Sequence, residues 1–386
     1  MKARTILIFF FILSALPDLS AGNRRNADYG PWILDMTGTG FTVCWVTGRR
    51  ALAWVEIAPD DGTSFYAEPR KRIHHTCAGR RVAGNFHKIS VDGLEKGTSY
   101  RYRLCTRAVV NDNNAYAMKF DPEIAGEVIS SVRTFDPAKD TCHFVMLCDI
   151  HERDELYSSL VSGVDASKTD FLLLNGDITS KTSSVNSLLS HTLNPAAGLL
   201  RNVPLVYSRG NHAGRGRDFN QVPVYFSAHD GGFYYTFRQG PVAFVVLDAG
   251  EDKPDSDVEY SGTAEYDAYR AAELDWLRKA VREPEFADAP VKVAVIHIPV
   301  LGNKDAWYTQ KWITDNFMPV LNDAGIDLML SGHHHNYIYA PAGEFGNSFP
   351  VVVNDDTDRL EFTATKDGIS LRMHDASGQL THSVDL

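Results

Sequence analysis

Basic residues are scarce in this chain of 386 residues: 38 lysines and arginines are outnumbered by 49 acidic residues, for a formal net charge of -11. Binding along a nucleic-acid backbone requires clustered lysine and arginine, so this balance argues against nucleic acid as a general partner. Low-complexity tracts are lacking too, and a hydrophobic content of 44% is that of a globular protein.

Long apolar segments are lacking after the N-terminus. Lys2 and Arg4 precede an apolar run at 6–16, and small residues around Ala21 follow it. This order is typical of a secretory signal peptide, so we expect residues 1–21 to be removed and the protein to be exported, to the periplasm or the extracellular space. The run is too short to favour an uncleaved anchor, and no later segment has the length of a membrane span.

Cysteine is also rare. The chain has five cysteines, an odd number, so in an oxidising compartment at least one stays free or pairs between chains. None of them has zinc-finger spacing. A bridge between Cys44 and Cys105 is compatible with the sequence, which leaves the disulfide pattern open.

A chain of this length predicts two domains, because a single hydrophobic core rarely grows to 386 residues. Over 28–135 short runs alternate apolar and polar residues, as in 41–45 (FTVCW), and turn signals separate them. We therefore predict an all-β sandwich domain, of immunoglobulin or fibronectin type, at 22–138. Residues 91–103 resemble the late strands of a fibronectin type III module.

The pattern changes after this segment. Runs such as 143–150 and 291–298 are apolar on both faces, and they alternate with helical patterns at 264–282 and 308–322. Buried strands that alternate with amphipathic helices predict an α/β domain at 139–386, with helices covering the faces of its sheets.

Five apolar runs in this second region stop at residues that bind metals. They end at Asp149-Ile150-His151, Asn175-Gly176-Asp177, Gly210-Asn211-His212, Ile296-His297 and Gly332-His333-His334-His335. A strand that ends this way presents its last side chains at the rim of a sheet, where several rims can converge on one pocket. Aspartate, asparagine and histidine at five such ends predict a two-metal hydrolytic centre.

These motifs resemble the signature of the calcineurin-like metallophosphoesterases, and the preceding β-region is similar to the arrangement in purple acid phosphatases and their bacterial relatives. Residues 250–262 also resemble secreted bacterial members. The resemblance covers nearly the whole chain after the expected signal peptide. It implies an α/β metallophosphoesterase sandwich, with two β-sheets flanked by helices, behind the all-β domain.

The resemblance also implies a set of metal ligands. Seven side chains form it: Asp149, His151 and His335 on one ion, Asn211, His297 and His333 on a second, and Asp177 bridging both. This mixed oxygen and nitrogen shell suits two divalent or trivalent ions of iron, manganese or zinc, with their identity open. No thiolate takes part, so a structural zinc site is a poor alternative.

Beyond the role of Asp177, the resemblance implies that His212 faces the substrate and stabilises or protonates the leaving oxygen. The motif usually continues with an acidic residue, whereas this chain has Ala213. We therefore expect His212 to lack an orienting partner, with a reduced rate or an altered pH profile. Arg215 lies where secreted relatives carry an arginine and could grip a phosphate oxygen in bidentate fashion. A solvated loop residue is the alternative for Arg215, and the favoured interpretation for Arg217.

A second departure concerns colour. Purple acid phosphatases carry a tyrosine three residues after the aspartate of their Gly-Asp motif, and this chain has Ser180 there. They also carry an aspartate where this chain has His151. The resemblance therefore implies a centre without Fe(III)–tyrosinate absorption.

Five positions near the motifs have competing interpretations. Asp248 and Glu251 follow a strand end and could line the pocket, but a solvated loop is favoured. Trp307 and Tyr308 could form a substrate wall or pack into the core. His334 lies between two expected ligands on an extended segment, so its ring should point away from them.

Together these features predict hydrolysis of small-molecule phosphate esters by in-line attack of a metal-bound hydroxide, and a phosphomonoesterase is favoured. A phosphodiesterase or nucleotidase with the same centre is the alternative, because pocket width is not readable from the sequence. A non-enzymatic alternative is an exported binding module with an inert second domain, supported only by Ala213. The substrate, the native metals and the oligomeric state stay open.

Overall fold

The computed structural model describes residues 27–114, 116–126, 128–228, 231–301 and 306–386. The expected signal peptide at 1–21 lies outside these ranges. Among the helices in them, none combines the length and the apolar character needed to cross a bilayer.

The N-terminal region consists of antiparallel strands. They are β1 (Tyr29–Leu34), β2 (Gly40–Pro59), β3 (Arg72–His74), β4 (Thr76–Cys77), β5 (Arg80–Arg81), β6 (Ala83–Asp92), β7 (Ser99–Asn111), β8 (Lys119–Phe120), β9 (Ile124–Ala125) and β10 (Ser130–Arg133). All except β4 and β5 belong to one hydrogen-bonded sheet, in which the long β2 pairs with β1 and β6 along its first part and with β3 and β7 along its second. The predicted antiparallel β-structure is observed, and the fibronectin type III assignment stays a prediction.

The residues of strand β2 point alternately to opposite faces of the sheet, and both faces are buried. Val43 and Trp45 belong to one hydrophobic cluster, which also contains Phe144 of the second region. Cys44 points the other way and belongs, with Trp32, to a hydrophobic cluster shared with the second region. There the ring of Trp32 lies 6.1 Å from that of Phe226. The β-region therefore packs directly on the α/β region.

The second region alternates strands and helices before it ends in strands. The elements are β11 (Cys142–Leu147), α1 (Asp154–Ser162), β12 (Phe171–Asn175), α2 (Val185–Leu193), α3 (Ala197–Leu200), β13 (Leu205–Ser208), α4 (Val222–Phe226), β14 (Tyr235–Gln239), β15 (Val242–Leu247), α5 (Tyr266–Ala280), α6 (Pro284–Ala287), β16 (Val291–Ile296), α7 (Tyr308–Ala324), β17 (Leu328–Ser331), β18 (Ile338–Ala340), β19 (Val351–Val353), β20 (Arg359–Thr365), β21 (Gly368–His374) and β22 (Leu380–Asp385).

These strands form two six-stranded sheets that pack face to face. Their orders are β13-β12-β11-β20-β21-β22 and β14-β15-β16-β17-β19-β18. Phe144 of β11 and Phe244 of β15 meet in the layer between the sheets, with ring centroids 5.6 Å apart. The alternate residues Val145 and Val245 face outward, where α1 and α2 cover one sheet and α5 and α7 cover the other. The predicted α/β sandwich flanked by helices is confirmed.

The parallel pairing of strands brings the loops that follow them to one edge of each sheet. Strands β11, β12 and β13 run parallel in one sheet, and β15, β16, β17 and β19 run parallel in the other. Parallel strands end together, so the loops at their carboxyl ends meet at one edge of each sheet.

The cysteines are unpaired. All five lie in the described ranges, and each has a free thiol, so Cys44 and Cys105 do not bridge.

Candidate metal centre

Every predicted ligand lies just beyond the carboxyl end of a strand. In the order β11, β12, β13, β16 and β17, the ligands that follow are Asp149 with His151, Asp177, Asn211, His297, and His333 with His335. The two sheets face each other, so these side chains come together at one edge of the sandwich. Sequence positions far apart thereby become neighbours.

Five of the seven predicted ligands have left-handed backbone conformations, which residues other than glycine rarely adopt. The φ angles are 53° at Asp149, 48° at His151, 52° at Asp177, 76° at His333 and 57° at His335. Each such conformation costs on the order of 1–3 kcal/mol, and strain of this kind concentrates at functional sites. Its presence at these positions points to a site rather than to ordinary loops.

Two of the motif glycines are required by close approach of the chain. A Cβ atom at Gly210 would collide with the backbone nitrogen and the carboxylate of Asp177, and one at Gly332 would lie 2.6 Å from Oδ2 of Asp149. Glycine at these positions lets neighbouring strand ends approach each other. The glycines of the motifs therefore shape the cluster without binding anything themselves.

The side chains form three overlapping groups, in each of which one ligand atom per residue lies within 4.8 Å of the others. The groups are Asp149 with His151 and His335, Asp177 with His297 and His333, and His151 with Asp177 and His212. Nε2 of His297 lies 3.1 Å from Oδ2 of Asp177, and Nε2 of His335 lies 3.4 Å from Oδ1 of Asp149. The first two groups correspond to the two expected metal shells, and the third joins them.

Two buried polar atoms in this cluster make no hydrogen bond within the described residues: Oδ1 of Asp149 and Nε2 of His151. A buried polar atom without a hydrogen bond is uncommon and costs about 1–3 kcal/mol. Both atoms belong to the group that includes His335. A cation among these three residues would satisfy both atoms, so the residues fit the metal that the motifs imply.

The side-chain amide of Asn211 has two possible orientations, and only one of them suits a bound cation. Its Oδ1 lies 3.2 Å from Nδ1 of His333, and its Nδ2 lies 3.4 Å from Oε2 of Glu251. Hydrogen bonding alone favours the reverse orientation, in which the amide nitrogen would donate to Asp177 and the oxygen would accept from Arg215 at 2.9 Å. Only the orientation with the oxygen inward presents a ligand atom to a cation.

The charges of the cluster suit cation binding. Burial lowers the pKa of His151 to about 4 and the pKa of His333 to about 3, so both rings are neutral near pH 7. Burial alone would raise the pKa of Asp177, but His297 and His212 beside it hold that pKa below its usual range. Burial alone would lower the pKa of His297, and the Asp177 carboxylate more than reverses this, to about 9. Neutral imidazoles and ionised carboxylates bind metals, and a cation would displace the proton of His297.

His212 has an orienting partner, so the expectation drawn from Ala213 is wrong on this point. Nδ1 of His212 lies 2.8 Å from the carbonyl oxygen of Ser180, and its backbone nitrogen donates to Oδ1 of Asp177 at 3.0 Å. A carbonyl oxygen only accepts, so Nδ1 carries the proton of this hydrogen bond. Nε2 lies 3.8 Å from Oδ2 of Asp177 and faces the cluster.

Arg215 is held by a buried carboxylate. Its Nε and Nη2 donate to Glu251 at 2.7 and 2.9 Å, and its Nη1 lies 2.9 Å from Nε2 of His212. Glu251 is 2% exposed and Asp248 is 0% exposed, so their interpretation as a solvated loop is wrong. The bidentate edge of Arg215 meets Glu251, which leaves Nη1 for a substrate. The side chain of Arg217 is 79% exposed, as expected of a loop residue.

Asp356 is a residue of the site that the motifs missed. Its Oδ2 lies 3.4 Å from Nδ1 of His335 and accepts a hydrogen bond from Arg153 at 2.9 Å. Arg153 also donates to the carbonyl oxygen of Asp149 at 2.7 Å. A carboxylate behind a metal-binding histidine orients the ring and raises its basicity. The acidic stretch at 355–358 (DDTD) was the available signal.

Trp307 stands beside the cluster as an exposed aromatic side chain. Its ring centroid lies 5.5 Å from that of His333, and the residue is 55% exposed. Its backbone nitrogen donates to Gln310, whose Nε2 donates to Nε2 of His334 at 2.8 Å. His334 therefore points to Gln310 and belongs to none of the three groups, but the segment is not extended as predicted, because φ is 76° at His333 and 57° at His335. The exposure of Trp307, and of Tyr308 at 39%, favours a substrate wall over core packing.

Comparison with known proteins identifies a family and a fold. The family model described as calcineurin-like phosphoesterase matches residues 143–337, just over half of the chain. Purple acid phosphatase 23 of Arabidopsis thaliana is 22% identical over 356 residues, covering 78% of this chain and 72% of that protein. The structure of purple acid phosphatase PPD1 from yellow lupin (Lupinus luteus) seeds is alike in fold, with a TM-score of 0.66 at 15% identity over 92% of this chain and 73% of that one. The resemblance that the motifs indicated is confirmed.

Proposed function

This chain belongs to the calcineurin-like phosphoesterase family and is a metal-dependent phosphoesterase, and from that premise we propose that it is an exported phosphomonoesterase working at two metal ions. The observation that carries the proposal is that Asp177 groups with His297 and His333 on one side and with His151 and His212 on the other. Asp149, His151 and His335 would hold one ion. Asn211, His297 and His333 would hold the other, with Asp177 bridging.

The donor set suits this chemistry. It combines carboxylate and amide oxygens with imidazole nitrogens and contains no thiolate, which fits iron, manganese or zinc. When bound, two such ions supply an activated water nucleophile and positive charge that offsets the charge on the phosphoryl oxygens. The protein contributes a rigid frame, because strained backbone at the ligands leaves their side chains little freedom to rearrange.

His212 is placed to assist the leaving group. The Ser180 carbonyl fixes its ring through Nδ1, so Nε2 is the atom that faces the cluster. With Nδ1 donating to Ser180, Nε2 carries a proton only when the ring is an imidazolium. That second proton can pass to the departing ester oxygen and leave a neutral ring, a transfer by which general acids accelerate such steps about 10²–10⁴-fold. Nη1 of Arg215 lies beside the same atom and can meet a phosphoryl oxygen.

Two observations support a monoesterase and export. The relatives with matching sequence and fold are both named purple acid phosphatases, although Ser180 replaces the tyrosine that colours such enzymes. The basic and apolar pattern of 1–21 supports export. A variant that lacks residues 1–21 should stay in the cytoplasm, and its appearance outside the cytoplasm would contradict the signal assignment.

The test combines metal content with two substrates. Purified protein stripped by a chelator and incubated with Mn²⁺ or Zn²⁺ should bind two ions per chain. It should then hydrolyse p-nitrophenyl phosphate with a kcat/KM about tenfold or more above that for bis(p-nitrophenyl) phosphate, a difference of about 1.4 kcal/mol in transition-state binding. Faster turnover of the diester would replace the monoesterase with a phosphodiesterase. A protein that binds no metal and turns over neither ester would be a binding module.

A further inference from the structure

We propose that Arg153 is a positioning residue: its guanidinium connects the turn that carries Asp149 and His151 to Asp356, the carboxylate behind His335. It thereby holds together Asp149, His151 and His335, which we call the Asp149 group. The proposal rests on the proposed function, because this group is one of the two expected metal shells.

The Asp149 group is assembled from both sheets. Asp149 and His151 follow β11 in one sheet, and His335 follows β17 in the other. Nε2 of His335 lies 3.4 Å from Oδ1 of Asp149, a buried atom that makes no hydrogen bond within the described residues. Ligands of one cation have to be held in place before the cation binds. Ligands from two sheets keep a fixed separation only where the loops that carry them are themselves connected.

The turn after β11 has a strained backbone that depends on its neighbours. The φ angles of Asp149, His151 and Glu152 are 53°, 48° and 63°. The backbone nitrogens of these three residues donate to the carbonyl oxygens of residues 176–178 at 3.0, 3.0 and 2.9 Å. Left-handed conformations persist only where surrounding contacts hold them. The loop after β12 therefore holds the N–H groups of the turn, and the carbonyl groups of the turn need partners of their own.

Arg153 supplies the partners of these carbonyl groups. Its Nε donates to the carbonyl oxygen of Ile150 at 2.9 Å, and its Nη2 donates to that of Asp149 at 2.7 Å. The same Nη2 donates to the carbonyl oxygen of Asp356 at 2.7 Å and to its Oδ2 at 2.9 Å. Nδ1 of His335 lies 3.4 Å from that Oδ2. One side chain thus connects the loops that carry the ligands of the two sheets.

A simple surface ion pair is the competing interpretation of Arg153. Its side chain is 37% exposed and that of Asp356 is 18% exposed, and ion pairs at a surface contribute little. However, three of the four hydrogen bonds of the guanidinium are to backbone carbonyl oxygens, and two of those carbonyls belong to the strained turn. A surface pair has no such effect on the backbone of a metal ligand. The two interpretations therefore predict different metal affinities for a variant without the guanidinium.

The first arm of the test changes Arg153→Met. Mn²⁺ binding to chelator-stripped protein is measured by competition with a chromophoric chelator. We expect the affinity for one of the two Mn²⁺ to fall by about tenfold or more, because groups that orient metal ligands affect affinity by about 10- to 100-fold. Unchanged affinity would overturn the proposal.

Arg372→Met is the matched control for this substitution. The side chain of Arg372 is also 37% exposed, and it donates to Asp385 and to the carbonyl oxygen of Leu371, both at 2.8 Å. It lies on β21, a strand that bears none of the candidate ligands. Arg372→Met should bind Mn²⁺ within about twofold of the unsubstituted protein.

The second arm asks which metal shell depends on Arg153. His333→Ala damages the other shell and leaves the Asp149 group complete, so adding Arg153→Met should weaken the remaining Mn²⁺ by about tenfold. His335→Ala damages the Asp149 group itself, so adding Arg153→Met there should change the affinity of the remaining Mn²⁺ by no more than about threefold. Equal losses in the two backgrounds would overturn the proposal, because Arg153 would then support the fold as a whole.

Folding and the parent activity are measured alongside. Circular dichroism of the stripped proteins separates a misfolded variant from a weak binder. If Arg153→Met does not fold, Asp356→Ala removes the side-chain contact from its other end and should show the same contrast between the two backgrounds. If the unsubstituted protein binds no Mn²⁺ and hydrolyses no phosphate ester, the proposed function fails and this role fails with it. If it does both and Arg153→Met binds Mn²⁺ equally well, only the role of Arg153 fails.

Discussion

Nε2 of His297 lies 3.1 Å from Oδ2 of Asp177, and the other oxygen of that carboxylate accepts from the backbone nitrogen of His212 at 3.0 Å. Asp177 is 3% exposed, and it belongs to two of the three groups, one with His297 and His333 and one with His151 and His212. A carboxylate in this position can bridge two cations and offset part of their charge.

Replacing the central carboxylate should remove metal and activity together. Asp177→Asn keeps the size of the side chain but removes the negative charge, so we expect fewer than two ions per chain. Turnover of p-nitrophenyl phosphate should fall by about a hundredfold or more, at least the loss seen for outer residues of metal sites. Metal analysis and kinetics measure both. Asp323→Asn, at an exposed position of α7, is the control, and full turnover in Asp177→Asn would refute the bridge.

A methyl group at Gly210 should damage the centre. Its Cβ would collide with the backbone nitrogen and carboxylate of Asp177, so Gly210→Ala must shift a ligand, and we expect metal content and turnover to drop. Gly198→Ala is the matched control, because Gly198 is exposed in α3 and a Cβ atom there meets nothing within 4 Å. That change should leave activity intact and stabilise the protein by about 0.5–1 kcal/mol. Normal metal binding by Gly210→Ala would contradict the packing argument.

Acid should destabilise the protein through His87, far from the metal ligands. His87 is 3% exposed and its Nε2 lies 3.0 Å from Oγ1 of Thr47. Burial lowers the pKa of His87 from 6.5 to about 4. Between these values the unfolded chain binds a proton that the folded chain does not, so stability falls as the pH drops through 6.5 and levels off below about 4.

The size of this effect can be measured by comparison with His87→Gln. From about pH 7 to pH 4.5, the free energy of unfolding of the unsubstituted protein should fall by about 2 kcal/mol more than that of the His87→Gln variant. Urea unfolding of both proteins at the two pH values gives the difference. Parallel losses in the two proteins would show that His87 does not titrate as proposed.

The exposed indole of Trp307 should select flat leaving groups. Its ring lies next to His333 and its backbone is fixed by Gln310, so an aryl group of a bound ester can stack on it. Trp307→Ala should reduce kcat/KM for phenyl phosphate about three- to tenfold more than for glycerol phosphate, since aromatic contacts contribute about 0.5–1.5 kcal/mol. Trp307→Phe should retain most of the preference. An equal loss with both esters would mean that Trp307 only supports the fold.

Much of the architecture was readable in advance. The apolar run at 291–298 contains β16, and the helical period over 308–322 lies within α7, which continues to Ala324. These elements could be predicted from local sequence, because alternation and helical period depend only on neighbouring residues. The seven candidate ligands were found for a similar reason, since each lies where an apolar run ends.

Other parts of the site were not readable from local patterns. Glu251 and Asp356 lie in polar stretches that are typical of solvated loops, and only the folded chain brings them to Arg215 and His335. Sequence therefore mispredicted the burial of Glu251.

The motifs alone were sufficient to identify the family and its candidate ligands, because the residue type at each strand end determines whether its side chain can bind a metal. Folding had to supply the partners of those ligands. The backbone carbonyl of Ser180 orients His212. Every residue has a backbone carbonyl, so this role depends on where Ser180 lies in the fold and not on its residue type. The same holds for the buried ion pair of Arg215 and Glu251, whose two loops meet only when the sheets have packed.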